Sequence, residues 1–148
     1  MASKIHHLED ISIVRSGIEI NVDMSRMEEK LNQAQAKLDS AVMTSMERFM
    51  PMDTSSLINM TKAASAALVG SGVVVAAAGP YGRFQYGGKV MIGIKSKSAY
   101  AKKDEKKTLT QKNLQYSRAG AKANWFDPAK RQDETKWVEV VKKEMERG

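Results

Sequence analysis

Met24, Met27, Leu31, Ala34, Leu38, Ala41, Val42, Met46 and Phe49 follow one another mostly at three- and four-residue steps, and Pro51 stops the run. With 3.6 residues per turn these positions fall on one side of a helix. The spacing therefore predicts one amphipathic helix of about 25 residues. Pro51 turns the chain away from the helical region at its end. At the other end, Ser25-Arg26-Met27-Glu28 has the form of a capping box, in which the Ser and Glu side chains each satisfy a free backbone donor. So long a stripe needs a broad surface to cover it. A sheet in the same subunit is the expected partner, and a neighbouring helix is the other solution.

The flanking segments supply that sheet. Ile11 and Ile13, then Ile18, Ile20 and Val22, alternate with polar residues around Ser16-Gly17. This predicts two short strands joined by a tight turn, one face buried and Arg15, Glu19 and Asn21 facing solvent. Beyond Pro51, the stretch Met52 to Leu57 reads as a turn in which Asp53, Thr54 and Ser55 bond to nearby backbone. Small residues dominate Leu57 to Ala67, and propensity alone leaves helix and strand open. A strand is preferred, because Gly70-Ser71-Gly72 then turns it into a second strand over Val73 to Ala78. Gly79-Pro80 breaks that strand, Tyr81 to Tyr86 is short and aromatic, Gly87-Gly88 turns, and Val90 to Ile94 forms a further strand. Residues 95–123 have no useful period and read as a long basic loop. A closing helix carries Trp137, Val141 and Met145 on one stripe, widened by Val138 and Val140, with Asp133 as its N-cap.

The expectation is one α+β domain spanning the 148 residues, with residues 1–10 as a tail. Its antiparallel sheet is packed by the long N-terminal amphipathic helix and the C-terminal helix. The ten methionines suit a core or surface that adapts to a neighbour, since Met is flexible and fits irregular gaps. The chain has no cysteine, which excludes disulfides and thiolate metal sites. Met1 to Asp10 show no apolar leader core, and the longest apolar run, Val73 to Ala78, is too short to cross a bilayer. We expect a soluble protein that works where it is made.

Chemistry has little to stand on. The two histidines, His6 and His7, are adjacent, so they do not share a helix face and no thiolate can join them as ligands. Gly70-Ser71-Gly72 lacks the Gly-Lys-Ser/Thr continuation of a phosphate loop. Most carboxylates fall where solvated helix faces are expected. No enzyme, metal or cofactor is expected. The net charge of +7 is uneven: Lys89, Lys95, Lys97, Lys102, Lys103, Lys106, Lys107, Lys112, Arg118 and Lys122 are opposed within that span only by Asp104 and Glu105. Such a block serves phosphate groups, an acidic partner surface, or solubility alone. With only Tyr100 and Tyr116 inside it, it offers few bases a stacking platform. A small basic nucleic-acid-binding module without enzymatic activity is the alternative reading.

Three segments, in this order, resemble the minor capsid or neck proteins of tailed phages, also called head–tail connector or tail completion proteins. Phe49-Met50-Pro51-Met52-Asp53-Thr54-Ser55-Ser56-Leu57 is similar to the family's helix end and V-P-x-D-T/S-G-x-L turn, with serine in place of the glycine. Ala78 to Gly88 is similar to its A-P-Y-A-R-x-x-Y-x-G segment, with Gly82 in place of the second alanine. Trp125-Phe126 and Trp137 resemble its closing helix region, and the likeness spans roughly residues 18 to 147. The resemblance implies a structural virion protein at the head–tail junction, found in the host cytoplasm before assembly. It would form a closed ring of six or twelve copies that joins the portal to the tail and lets DNA pass. Neighbouring neck and tail terminator proteins are the implied partners, together with non-specific contact with packaged DNA and no membrane. Arg83, Phe84 and Tyr86, held between two turns, are then candidate subunit-interface anchors, with a core role for Tyr81 and Phe84 as the competing reading. Lys95, Lys97, Lys102, Lys103, Lys106 and Lys107 are candidates for inter-ring or DNA-channel contacts. Trp125 and Trp137 are expected in the core.

Overall fold

A computed structural model describes residues 4–52, 56–98 and 103–147. The elements run β1 (Ile11–Arg15), β2 (Ile18–Val22), α1 (Ser25–Glu47), α2 (Ser56–Ala67), α3 (Gly82–Gly87), β3 (Lys89–Gly93), β4 (Lys107–Asn113) and α4 (Phe126–Glu146). The class is α+β, as expected, with antiparallel strands, a long N-terminal helix and a C-terminal helix. The strands form two separate two-stranded ribbons, β1–β2 and β3–β4. The stripe of α1 is covered by a helix, α4, which is the second of the two solutions its length allowed.

The core lies where α1, α2 and the start of α4 meet. Met43, Met46, Met50, Ile58, Trp125, Ala129 and Trp137 form its buried cluster, with Leu38, Ala41, Val42 and Phe49 packed against it. Both tryptophans are in the core as expected. Trp125 is 0% exposed, and its indole N–H donates to the Ala76 carbonyl at 2.8 Å. Trp137 donates to Ser45 Oγ at 2.9 Å, and Ser45 in turn donates to Asp133 Oδ2 at 2.7 Å. Arg48 closes on the same carboxylate oxygen. Further along the seam, Lys37 Nζ meets Glu144 Oε2 at 2.5 Å. The Ser45 hydrogen bond holds the Asp133 carboxyl below its ordinary pKa against the opposing effect of burial, helped by the charges of Arg48 and Lys136. The Lys37 contact does the same for Glu144, also against burial and with help from Arg147.

Several local expectations are overturned. The stretch over Leu57 to Ala67 is helical, not a strand. Its Ala-rich composition favours helix, and the buried residues Ile58, Thr61 and Ser65 recur at helical spacing. Val73 to Ala78 forms no strand and, among the described residues, joins no sheet. Side chains satisfy its backbone instead: Ser65 Oγ donates to Val75 O at 3.0 Å and accepts from Val75 N at 3.1 Å, while Thr61 Oγ1 accepts from Ala78 N at 3.0 Å. Tyr81 to Tyr86 contributes to the short helix α3. The region 95–123 is not all loop, because β4 pairs antiparallel with β3 across a bulge between Lys89 and Met91. The closing helix begins seven residues before Asp133. Pro128 fits its first turn, where a backbone N–H has no helical acceptor, and Asp133 lies buried in mid-helix rather than at the cap.

The start of α1 is as expected, but its capping box does not form. Ser25 is inside the helix, its N–H bonds Asp23 Oδ1 at 2.9 Å, and Glu28 Oε2 accepts from Leu8 N at 3.0 Å. Asp10 Oδ1 accepts from Met24 N at 2.8 Å, so the N-terminal tail ties down the helix entrance. The β1–β2 turn has positive φ at Ser16 (52°) and Gly17 (80°), as a tight hairpin of right-handed twist requires.

Replacing Trp125 with Ala should lower unfolding free energy by about 3–5 kcal/mol, read from urea melts. Trp125→Phe keeps most of the volume but strips the Ala76 carbonyl of its donor, and should cost about 1–3 kcal/mol. Because Asp133 and Glu144 have lowered pKa values in the folded chain, their stabilisation is complete above the ordinary carboxylate range. It is lost as pH falls through that range toward the folded values. The thermal midpoint should therefore drop below about pH 4.5, and an Asp133→Asn/Glu144→Gln chain should show a lower neutral midpoint with a flatter acid limb.

Candidate functional site

The first two resemblance segments meet in space. Pro51, Ser56 and Leu57 form one wall of a cleft of about 510 Å³, and Gly79 to Gly82 with Gln85 form another. Leu114 to Ser117 complete it. Asp53, Thr54 and Ser55 lie outside the described residues. The third segment closes on the second: the Tyr86 and Trp125 rings pack edge to face, with centroids 4.7 Å apart.

Helix α3 positions Arg83, Phe84 and Tyr86. Arg83 is exposed, with its guanidinium 4.5 Å from the centre of the Phe84 ring. Phe84 is half-buried, and Tyr86 turns its ring into the core, where burial and then the Asp127 charge raise its phenol pKa. Tyr81 is 65% exposed, at the cleft wall, so it is not a core residue. The helix ends at Gly88, whose φ of +72° carries the chain into β3. A Cβ there would lie 2.5 Å from Ala123 Cβ, so the position excludes a side chain twice over. Tyr116 holds the same corner by donating to the Gln85 carbonyl at 2.5 Å, and its burial raises the hydroxyl's pKa.

The β3–β4 ribbon gathers the lysines. Lys95, Lys97, Lys103 and Lys106 are exposed at its far end. Lys95, Lys103 and Lys106 edge an open recess of about 720 Å³, together with Ile94 and Ser96. Glu105 is spent on shaping this end, accepting from Lys95 N at 2.8 Å and Ser96 N at 2.6 Å. Lys107 sits in β4 with its ammonium 5.8 Å from the Tyr81 ring centre. Lys102 lies outside the described residues, as does Tyr100. Of the first candidate set, Tyr86 packs against the core while Arg83 is exposed. Of the second, Lys95, Lys97, Lys103 and Lys106 stand at the far end of the ribbon, whereas Lys107 approaches Tyr81 on the cleft wall.

A third surface is the hairpin β1–β2, and here the expected burial fails. All ten strand residues are exposed. The register pairs Ile11 with Val22, Ile13 with Ile20 and Arg15 with Ile18, so Arg15 shares the apolar face rather than the solvent face. Ile18 is 63% exposed, and Val14, on the other face, 70%. The alternation of apolar residues was the available signal. It reports that a face is apolar, not what covers it.

Among the described residues no group of three or more His, Asp or Glu side chains is arranged to hold a metal ion. His6 bonds through its N–H to Asn32 Oδ1 and pairs its ring with Gln35 Oε1 at 3.2 Å. The buried carboxylates serve the fold. Asp39 Oδ2 accepts from Gly70 N at 2.9 Å and Gly72 N at 3.0 Å, pinning the turn after α2 to α1. What the surface offers is therefore a cationic ribbon, an apolar ribbon and a lined cleft. No helix among the described residues is long and apolar enough to cross a membrane. Compared with protein-family models, with curated proteins and with solved structures, the chain matches none.

Proposed function

We propose that this chain is a non-enzymatic structural subunit of a tailed phage, built into the ring that joins the head to the tail. Copies of itself are its first partners, with neighbouring neck and tail terminator proteins above and below and the packaged DNA passing through. What supports the reading is the meeting of the three resemblance segments. Residues 49–57, 78–88 and 125–137 are far apart in the chain, yet the first two share the walls of one cleft, and Tyr86 of the second packs on Trp125 of the third. Segments that share one local structure are more informative together than three short likenesses taken singly.

The second reading is a small basic nucleic-acid-binding module. The clustering of Lys95, Lys97, Lys103 and Lys106 at one end of a ribbon favours it, since phosphate contacts need grouped cations.

Cryo-electron microscopy of intact phage particles from the source should place the chain in a ring at the head–tail junction. Its absence from the particle would sink the structural reading. Purified chain titrated with duplex DNA separates the alternative: a binding module should bind well at low salt and lose affinity steeply as salt rises, whereas a neck subunit should bind feebly throughout.

A further inference from the structure

The two ribbons sit at opposite ends of one rod. β1–β2 leads directly into Ser25 at the start of α1. The β3–β4 ribbon is rooted at the other end: Leu114 N bonds Gly88 O at 2.8 Å, Lys122 N bonds Phe49 O at 3.0 Å, and Arg118 donates to the carbonyls of Glu47 and Met50. Twenty-three helical residues put about 35 Å between those ends. The ribbons of one chain are held apart by that rod.

Their surfaces are complementary. β1–β2 presents Ile11, Ile13, Ile18, Ile20 and Val22 on one face together with Arg15, and carries Glu19 on the other face. The ribbon as a whole is net negative, with Glu9, Asp10, Glu19 and Asp23 against the single cation Arg15 between residues 9 and 23. β3–β4 carries exposed Lys95, Lys97, Lys103, Lys106 and Lys112, with Leu109 58% exposed and Ile94 also exposed among them. A two-stranded hairpin is marginal in water and gains stability from a further strand or a packed surface. Among the described residues, each ribbon also has strand edges that pair with no further strand. Pairing two β1–β2 hairpins with each other would bring two net-negative ribbons together, whereas edge-to-edge pairing of β1–β2 with the lysine-rich β3–β4 ribbon joins opposite net charges.

We infer that the β1–β2 hairpin of one copy docks on the β3–β4 ribbon of the next, so that chains associate head to tail. The contact uses different patches on the two subunits, and repeated it generates a ring if the rotation closes. It assigns the exposed lysines to an acidic protein surface rather than to DNA, and it rests on the proposed function only for self-association.

The absence of cysteine makes the test direct. Ile20→Cys and Leu109→Cys chains, otherwise intact, are mixed and oxidised at low salt. The expected product is the mixed disulfide between the two variants, well in excess of either homodimer. Predominant Ile20→Cys homodimer, or no cross-link above that of denatured chains, would overturn the inference. A charge swap guards against misfolding. Lys95→Glu/Lys97→Glu/Lys106→Glu should cut the mixed cross-link at least about tenfold, and Glu9→Lys/Glu19→Lys on the partner chain should restore it, because like charges facing each other cost free energy that opposite charges return. Failure of that rescue also counts against the contact. A head–tail ring whose ribbons do not touch would overturn this inference and leave the proposed function standing. A head-to-tail cross-link in a chain absent from particles would do the reverse.

Discussion

The seam between α1 and α4 carries a buried carboxylate, Asp133, and one of its oxygens gathers partners from the facing helix while the other, Oδ1, is buried without a hydrogen bond. Asp133 faces Ser45 and Arg48 across the interface, and Ser45 accepts the indole N–H of Trp137 while donating to Asp133. A charge removed from water costs several kcal/mol unless it is paired and hydrogen-bonded, so this chain of contacts favours the register in which Ser45 and Arg48 face Asp133. Lys37 and Glu144 repeat the device farther along. With the register set, Trp125 at the head of α4 reaches Ala76 and Tyr86, and through them holds the Val73 to Ala78 segment and α3.

That dependence explains the division of the molecule into a helical body and two projecting ribbons. The apolar stripe of α1 meets α4, supported by α2, so no sheet is required to cover it. The strands are left to pair two by two. One ribbon continues the tail into α1, and the other grows from the corner fixed by Gly88 and Tyr116. Exposed apolar side chains on a two-stranded hairpin are an unfinished surface in physical terms. The buried carboxylates Asp39, Asp133 and Glu144, by contrast, are engaged in a turn and in ion pairs.

Reading the chain for periodicity found what depends on short-range spacing: the extent of α1, the β1–β2 turn, the β3 strand and the two core tryptophans. It failed where a side chain substituted for a ladder or a cap. Val73 to Ala78 has strand-like residues, but Ser65 and Thr61 satisfy its backbone, and hydroxyls seventeen or fewer residues away leave no periodic trace. Asp133 resembles a helix cap because Asp favours caps, and only the approach of Arg48 and Ser45 from another helix makes a mid-helix position tolerable. Of the candidate contacts, the grouping of the lysines could be seen in the chain order. The different fates of Arg83, exposed, and Tyr86, packed on the core, could not, since they follow from where α3 docks.

Local physics therefore determined the long helix, the hairpin turn, the apolar alternation of β1 and β2, and the uneven charge, because each is set by residues within a few positions of one another. Tertiary structure decided which surface covers each apolar face. Periodicity states that a face must avoid water but carries no label for its partner. Here α4 answered for α1, and nothing within the described residues covers β1–β2.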